Sequence, residues 1–263
     1  MNESMGLVLP HERVDDLNRN GLRVIQDPSR FCFGIDAVLL TGIVRAEHTE
    51  RLLDLGTGTG IIPILLTAKT KCKSFIGLEI QHESVDMARR SVRLNKLDDI
   101  VTIDEGDIRL AAGIYSPSAF DVITVNPPYM PSGGGIVNEN SPKAIARHEL
   151  LCTLEDCVKA AATLLKQYGR LYMVHKPQRL TDIMTLLREY GLEPKYMRLV
   201  YPYADKPANM VLLSANKGGN PMLEVASPLI VYCADGGYTD EIREIYYGEE
   251  PYNTCRYTSA ELR

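Results

Sequence analysis

At 263 residues, the chain holds one large α/β domain with extensions or at most two small domains; with 45% hydrophobic and 24% charged residues it has the composition of an ordinary globular protein. No apolar run approaches the ~20 residues of a membrane span, and residues 1–30 are too charged for a secretory signal, which together predict a cytoplasmic protein. The net charge of −5 divides into 14 Lys+Arg against 19 Asp+Glu over residues 1–142, 12 against 7 over 143–217, and 3 against 8 over 218–263. The basic stretch of 143–217 suits phosphate contacts even on an acidic chain, although charge alone favours plain solvation of helix faces.

In chain order, residues 1–50 form an N-terminal extension with one predicted helix, 36–44. Strands then alternate with helices across a domain spanning 51–217. Strands are predicted at 51–55, 74–80, 100–104, 120–125, 170–175, 195–201 and 209–216, and helices at 60–69, 83–96, 154–167 and 180–190. Gly169 is read as the stop of the helix before it. Alternation of this kind requires crossover connections, hence a mostly parallel sheet covered on both faces. The last two strands lie too close for an intervening helix, so the α/β sheet is expected to end in an antiparallel hairpin. Residues 218–263 form a C-terminal extension with one strand, 229–233, and an acidic, Tyr-rich tail.

Cys32, Cys72, Cys152, Cys157, Cys233 and Cys255 include no C-x-x-C pair and no histidine at ligand spacing. They read as buried, reduced thiols, and no metal site is predicted.

The first chemical signal is Asp54-Leu55-Gly56-Thr57-Gly58-Thr59-Gly60, placed between a strand and a helix. Glycines let the backbone turn sharply and approach a ligand, and the helix start presents unpaired N–H groups. Dinucleotide sites use G-x-G-x-x-G; here the third glycine arrives one residue early, which turns the reading away from NAD and FAD. Glu79 ends the next strand at the interval where a carboxylate meets ribose hydroxyls. Asp107, after the third strand, is placed to accept an adenine amino group. Asp54 either orients the glycine loop or faces an ammonium. The cofactor set is therefore Asp54, Gly56, Gly58, Gly60, Glu79 and Asp107, joined by Asn126.

The second signal is Asn126-Pro127-Pro128-Tyr129, closing the strand 120–125. An exocyclic amine on a purine is a weak nucleophile because its lone pair is delocalised into the ring. A side-chain carbonyl on Asn126 and the backbone carbonyl of Pro127 accept both amine protons and aim the lone pair. The prolines stiffen the loop, and Tyr129 offers a face on which an extruded base stacks.

With both motifs placed, the chain resembles the class I methyltransferases that carry N-P-P-Y. That resemblance implies a Rossmann-like, seven-stranded sheet and S-adenosylmethionine as cofactor. Within the class the likeness is greatest to the bacterial tRNA(Val) adenine-N6 methyltransferases, which modify the adenosine beside the anticodon. It extends from about Phe31 to Tyr232 and includes Phe33-Gly34-Ile35-Asp36-Ala37-Val38-Leu39-Leu40, where Ile35 stands in place of the usual Thr. A second likeness is Ala146-Arg147-His148-Glu149, in which Arg147 and His148 either contact RNA phosphate or brace the loop. The resemblance implies N6-methylation of an adenine in RNA, with tRNA as partner, and the phosphate track is assigned to Arg147, Lys176, Arg179, Lys195, Arg198 and Lys206. Glutamine-N5 methylation of a protein such as a release factor and guanine-N2 methylation of RNA share the motif and remain as alternatives. The usual Glu-Pro pair and long helical N-terminal domain of the glutamine enzymes are absent.

Overall fold

The computed structural model describes residues 6–30, 32–127 and 152–248. The chain opens on a hairpin, β1 (Arg13–Asp16) and β2 (Arg23–Gln26), followed by α1 (Ile35–Ile43). Then come β3 (Leu52–Leu55), α2 (Ile61–Lys69), β4 (Phe75–Glu79), α3 (His82–Leu94), β5 (Val101–Glu105), a short α4 (Ala111–Ile114) and β6 (Phe120–Val125). After residue 152 the order is α5 (Leu154–Leu164), β7 (Leu165–His175), α6 (Leu180–Glu189), β8 (Leu192–Tyr201), β9 (Met210–Lys217), β10 (Glu224–Val225), β11 (Leu229–Ile230) and α7 (Asp240–Tyr247).

Strands β3 to β11 form one sheet in the order β10-β8-β9-β7-β6-β3-β4-β5, with β11 also on β8. The pairs β3–β4, β4–β5, β3–β6 and β6–β7 are parallel, and β9 lies antiparallel between β7 and β8. The expected parallel sheet ending in an antiparallel hairpin is present. It has nine strands rather than seven because β10 and β11, two residues each, extend its edge beside β8.

Side chains of a strand alternate between faces, and the two core clusters show it. Leu52, Val122, Tyr172 and Leu212 pack on one face with α1, α2 and α3, together with Leu17, Leu22 and Val24 of the N-terminal segment and Ile242 of α7. Leu53, Ile123, Leu171 and Leu213 pack on the other face with α5 and α6.

Two expectations need correcting. The helix expected over 154–167 stops at Leu164, and the strand begins at once. Gly169 does not stop a helix. It lies inside β7 where a Cβ would come within 2.9 Å of the Lys166 carbonyl and 3.2 Å of the Asp121 carbonyl, beside the register shift between β6 and β7. The hairpin β1–β2 and α7 are further elements beyond those expected, each with a local signal: Asn20-Gly21 in the hairpin turn, and Thr239, Asp240, Glu241 and Gly248 at the ends of α7.

Candidate active site

The order of strand addition reverses at β3: β4 and β5 build outward on one side, and β6 and β7 on the other. In an open α/β sheet the crevice at such a switch point, outside the carboxyl ends of the strands, is where ligands sit. The glycine turn after β3, Glu79 at the end of β4, Asp107 after β5 and Asn126 after β6 all fall on that edge.

The turn itself is held from below. Gly56, Gly58 and Gly60 have φ of 72°, 57° and 84°, a left-handed backbone that side chains oppose. The Gly56 and Thr57 amides donate to the Leu78 carbonyl at 2.9 and 3.0 Å. Gly58 N–H donates to Glu79 Oε2 at 2.9 Å, and Gln81 N–H donates to Glu79 Oε1 at 2.8 Å. Each carboxylate oxygen has a second lone pair, so Glu79 keeps acceptor capacity after pinning the turn. Burial pushes its carboxyl pKa up, opposed by those backbone donors.

Asp54 is fully enclosed. Its Oδ1 accepts from the Thr124 hydroxyl at 2.6 Å, and its Oδ2 has no hydrogen-bond partner among the described residues, nor has Thr57 Oγ1. Loss of water pushes the Asp54 carboxyl up to about 7, with the Thr124 bond pulling the other way. Asp107 caps a turn, accepting from the Arg109 amide at 2.8 Å and from the Arg109 guanidinium, which holds its carboxyl below the usual range. Gly56, Leu78, Glu79, Ile80, Asp107, Ile108, Arg109 and Cys152 line one cleft.

Asn126 and Pro127 lie at the end of β6, and Asn126 Nδ2 donates to Asp36 Oδ2 at 3.1 Å. Pro128, Tyr129, Arg147 and His148 lie outside the described residues. Three polar residues with local signals too weak to single out complete the site. Buried Gln26 donates through Nε2 to Thr59 Oγ1 at 2.5 Å and accepts from the Phe33 amide at 3.3 Å, tying the N-terminal segment to the glycine turn. Thr124 supports Asp54, and Asp36 holds Asn126. Asp36 and Thr124 are polar residues inside apolar runs, whereas Gln26 stands between Val24-Ile25 and Asp27, where its neighbours give no signal.

The cationic candidates divide by position. Lys176 and Arg179 follow β7 on the site edge, with Arg179 paired to Asp182 at 2.7 Å. Lys206 lies in the β8–β9 turn on the same edge and pairs with Asp205 at 3.0 Å. Lys195, early in β8, donates to the Asn220 and Pro221 carbonyls. Arg198 is largely buried, makes a two-pronged pair with Glu241 and donates to the Ser227 and Pro228 carbonyls. No group of three His, Cys, Asp or Glu among the described residues could hold a metal.

An apolar slot beside two carboxylates suits an adenosine, with acceptors for ribose hydroxyls and an amino group. The enclosed Asp54 and Glu79 favour a ligand bearing positive charge. The arrangement is that of a class I methyltransferase, and solved structures agree. A predicted O-methyltransferase from Agrobacterium tumefaciens superposes with a TM-score of 0.66 at 22% identity, over 82% of this chain and 98% of its own. The family model of the methyltransferase small domain matches residues 22–190. The chain belongs to that family, and its methyl donor is S-adenosylmethionine. Among curated relatives, the tRNA1(Val) (adenine(37)-N6)-methyltransferase of Aeromonas salmonicida is 27% identical over 208 residues, 79% of this chain and 85% of its own length. The protein of the same name from Bacteroides thetaiotaomicron is 28% identical over 189 residues, 72% of each chain.

Proposed function

We propose that the protein methylates N6 of an adenine in tRNA, in the anticodon loop. The observation that carries the reading is Asn126-Pro127 on the end of β6, directly beside the glycine turn of β3, in a chain whose relatives bear the tRNA adenine-N6 name. S-adenosylmethionine supplies an electrophilic methyl group. Asp54, the glycine turn, Glu79 and Asp107 hold it, with Glu79 facing ribose hydroxyls and Asp107 the adenine amino group.

The rest is the work of this chain's own residues. Asn126, through its side-chain carbonyl, and Pro127, through its backbone carbonyl, accept the two protons of the target amine and direct its lone pair. Pro128 stiffens the loop and Tyr129 stacks the extruded base. Alignment supplies most of the rate, so no strong base is required before transfer. The proton leaves to solvent afterwards. An anticodon loop lowers the extrusion cost because its bases are already partly unstacked. Lys176, Arg179 and Lys206 sit on the site edge and form the phosphate track with Arg147, whereas Lys195 and Arg198, assigned to that track from sequence, are engaged in bracing the C-terminal segment. A tRNA substrate implies the cytoplasm; no helix among the described residues is long and apolar enough to cross a membrane.

The test is transfer of labelled methyl to bulk tRNA from a strain lacking the protein, followed by digestion to nucleosides. Label in N6-methyladenosine, abolished by Asn126→Ala with donor binding intact, is the expected result. Label in N2-methylguanosine, or in a release factor and not in RNA, would replace the reading with the corresponding alternative.

A further inference from the structure

We propose that Asp36 is a positioning residue for methyl transfer, fixing the amide of Asn126 so that its oxygen, and not its nitrogen, is presented to the substrate amine. The inference rests on the reading of Asn126 as acceptor for that amine.

A side-chain amide has nearly the same shape with oxygen and nitrogen exchanged, and the two ends have opposite hydrogen-bonding character. An Asn126 turned the wrong way would point two donors at an amine that also donates. An ionised carboxylate only accepts, so it binds the nitrogen end alone and rejects the oxygen end. Asp36 Oδ2 receives Asn126 Nδ2 at 3.1 Å across 90 residues of sequence. The oxygen end of the amide is thereby set on the side away from Asp36.

The carboxylate is itself held. Asp36 is buried in the first turn of α1, and its Oδ1 accepts from the Ala37 amide at 2.9 Å. Gly34 leaves the space this needs: a Cβ at residue 34 would lie 2.8 Å from Asp36 Oδ1. The Gly34 backbone, at φ −109° and ψ 179°, is one any residue adopts. The glycine therefore answers to the carboxylate and not to a turn. Gly34, Asp36 and Asn126 form a chain of constraint running from the N-terminal segment to the end of β6.

Asp36→Asn is the informative variant, because asparagine keeps the size and, with its oxygen on the Ala37 amide, turns a donor NH2 in place of Oδ2 towards Asn126, which favours the wrong end of that amide. Expected is a fall in kcat of roughly ten- to a hundredfold, with the S-adenosylmethionine Kd from calorimetry and the RNA KM each within about twofold of wild type. Gly34→Ala, which shifts the carboxylate without removing it, should lower kcat in the same direction. An unchanged kcat, or a donor Kd that weakens in step with kcat, would overturn the proposal. A second readout needs no substrate: the Asn126 side-chain amide, identified in a 15N–1H spectrum by its loss in Asn126→Ser. In the wild type one of its protons should be downfield and slow to exchange, and both features should disappear in Asp36→Asn while the remaining spectrum is kept. If the wild type shows no such signal, the proposal fails whatever the substrate. If the signal is present but no RNA is methylated, the assignment of substrate fails and the orientation of Asn126 stands.

Discussion

Asp54 and His175 are both buried near the site edge of the sheet, and burial moves them in opposite directions on the pH scale. The Asp54 carboxyl is raised from its ordinary 3.8 to about 7. Between those values the folded protein holds a proton that the unfolded chain has released, so stability falls as pH rises from about 4 to 7 and is level above. Glu79, raised by burial, acts in the same direction. His175 is lowered from 6.5 to about 4, first by burial and then by the Arg179 and Lys176 cations. There the unfolded chain holds the extra proton, so stability is lost as pH falls from about 6.5 towards 4. Asp54→Asn removes the first slope alone. In chemical denaturation, the variant should match the wild type near pH 4 and exceed it by about 1–3 kcal/mol at pH 8. A variant that is no more stable at pH 8 would mean that Asp54 is ionised without cost.

Single elements are held by few side chains, and these give sharper tests. Helix α5 starts on a capping box, in which Thr153 Oγ1 accepts from the Asp156 amide while the Asp156 carboxylate accepts from Thr153 N–H. Thr153→Ala should cost about 1 kcal/mol in urea denaturation, without altering donor affinity. Arg198 binds Glu241 and two carbonyls, and so fastens the segment leading to α7 onto β8. Arg198→Ala should cost about 1–3 kcal/mol and leave the salt dependence of RNA binding unaltered. Replacing Lys176 and Lys206 together should flatten that dependence by roughly one unit of slope per lost contact. The elements that sequence revealed are those with local causes. The β3–glycine turn–α2 unit, Glu79, Asp107 and Asn126 stand at fixed distances from strand ends, so their spacing alone placed them. In the hairpin β1–β2 only the turn, Asn20-Gly21, has a local cause; its first strand, Arg13-Val14-Asp15-Asp16, is short, charged and without a clear apolar face. The hairpin is stabilised instead from α3, where Ser91 Oγ accepts from the Ile25 amide at 2.9 Å and Asn95 bonds both the amide and carbonyl of Arg23. Asp36 and Gln26 were missed for the same reason, because the partners that explain them are 90 and 33 residues away.

Across the whole molecule, one face of the sheet is covered by segments from both ends of the described chain. Leu17, Leu22 and Val24 pack there with α1, and Ile242 and Ile245 of α7 join the same cluster. Removing residues 229–263 should therefore lower the melting temperature well below that of a chain lacking only 249–263, as calorimetry would show; equal melting temperatures would mean that α7 contributes nothing to the core. The N-terminal segment is secured to α3 as well: Arg90 pairs with Glu12 at 2.6 Å, donates to the Leu7 carbonyl and pairs with Asp86. This attachment sets an order in time. Residues 6–30 leave the ribosome well before α3 exists, and at about 5–20 residues per second the wait for Asn95 is roughly 4–14 s. For the first half of that interval Gln26 has no Thr59 to hold, and for all of it Asp36 has no Asn126. Residues 6–30, synthesised ahead of α3, thus reach their place only after it, and a nascent chain halted between Thr59 and residue 95 carries a glycine turn beside a Gln26 that α3 does not yet hold.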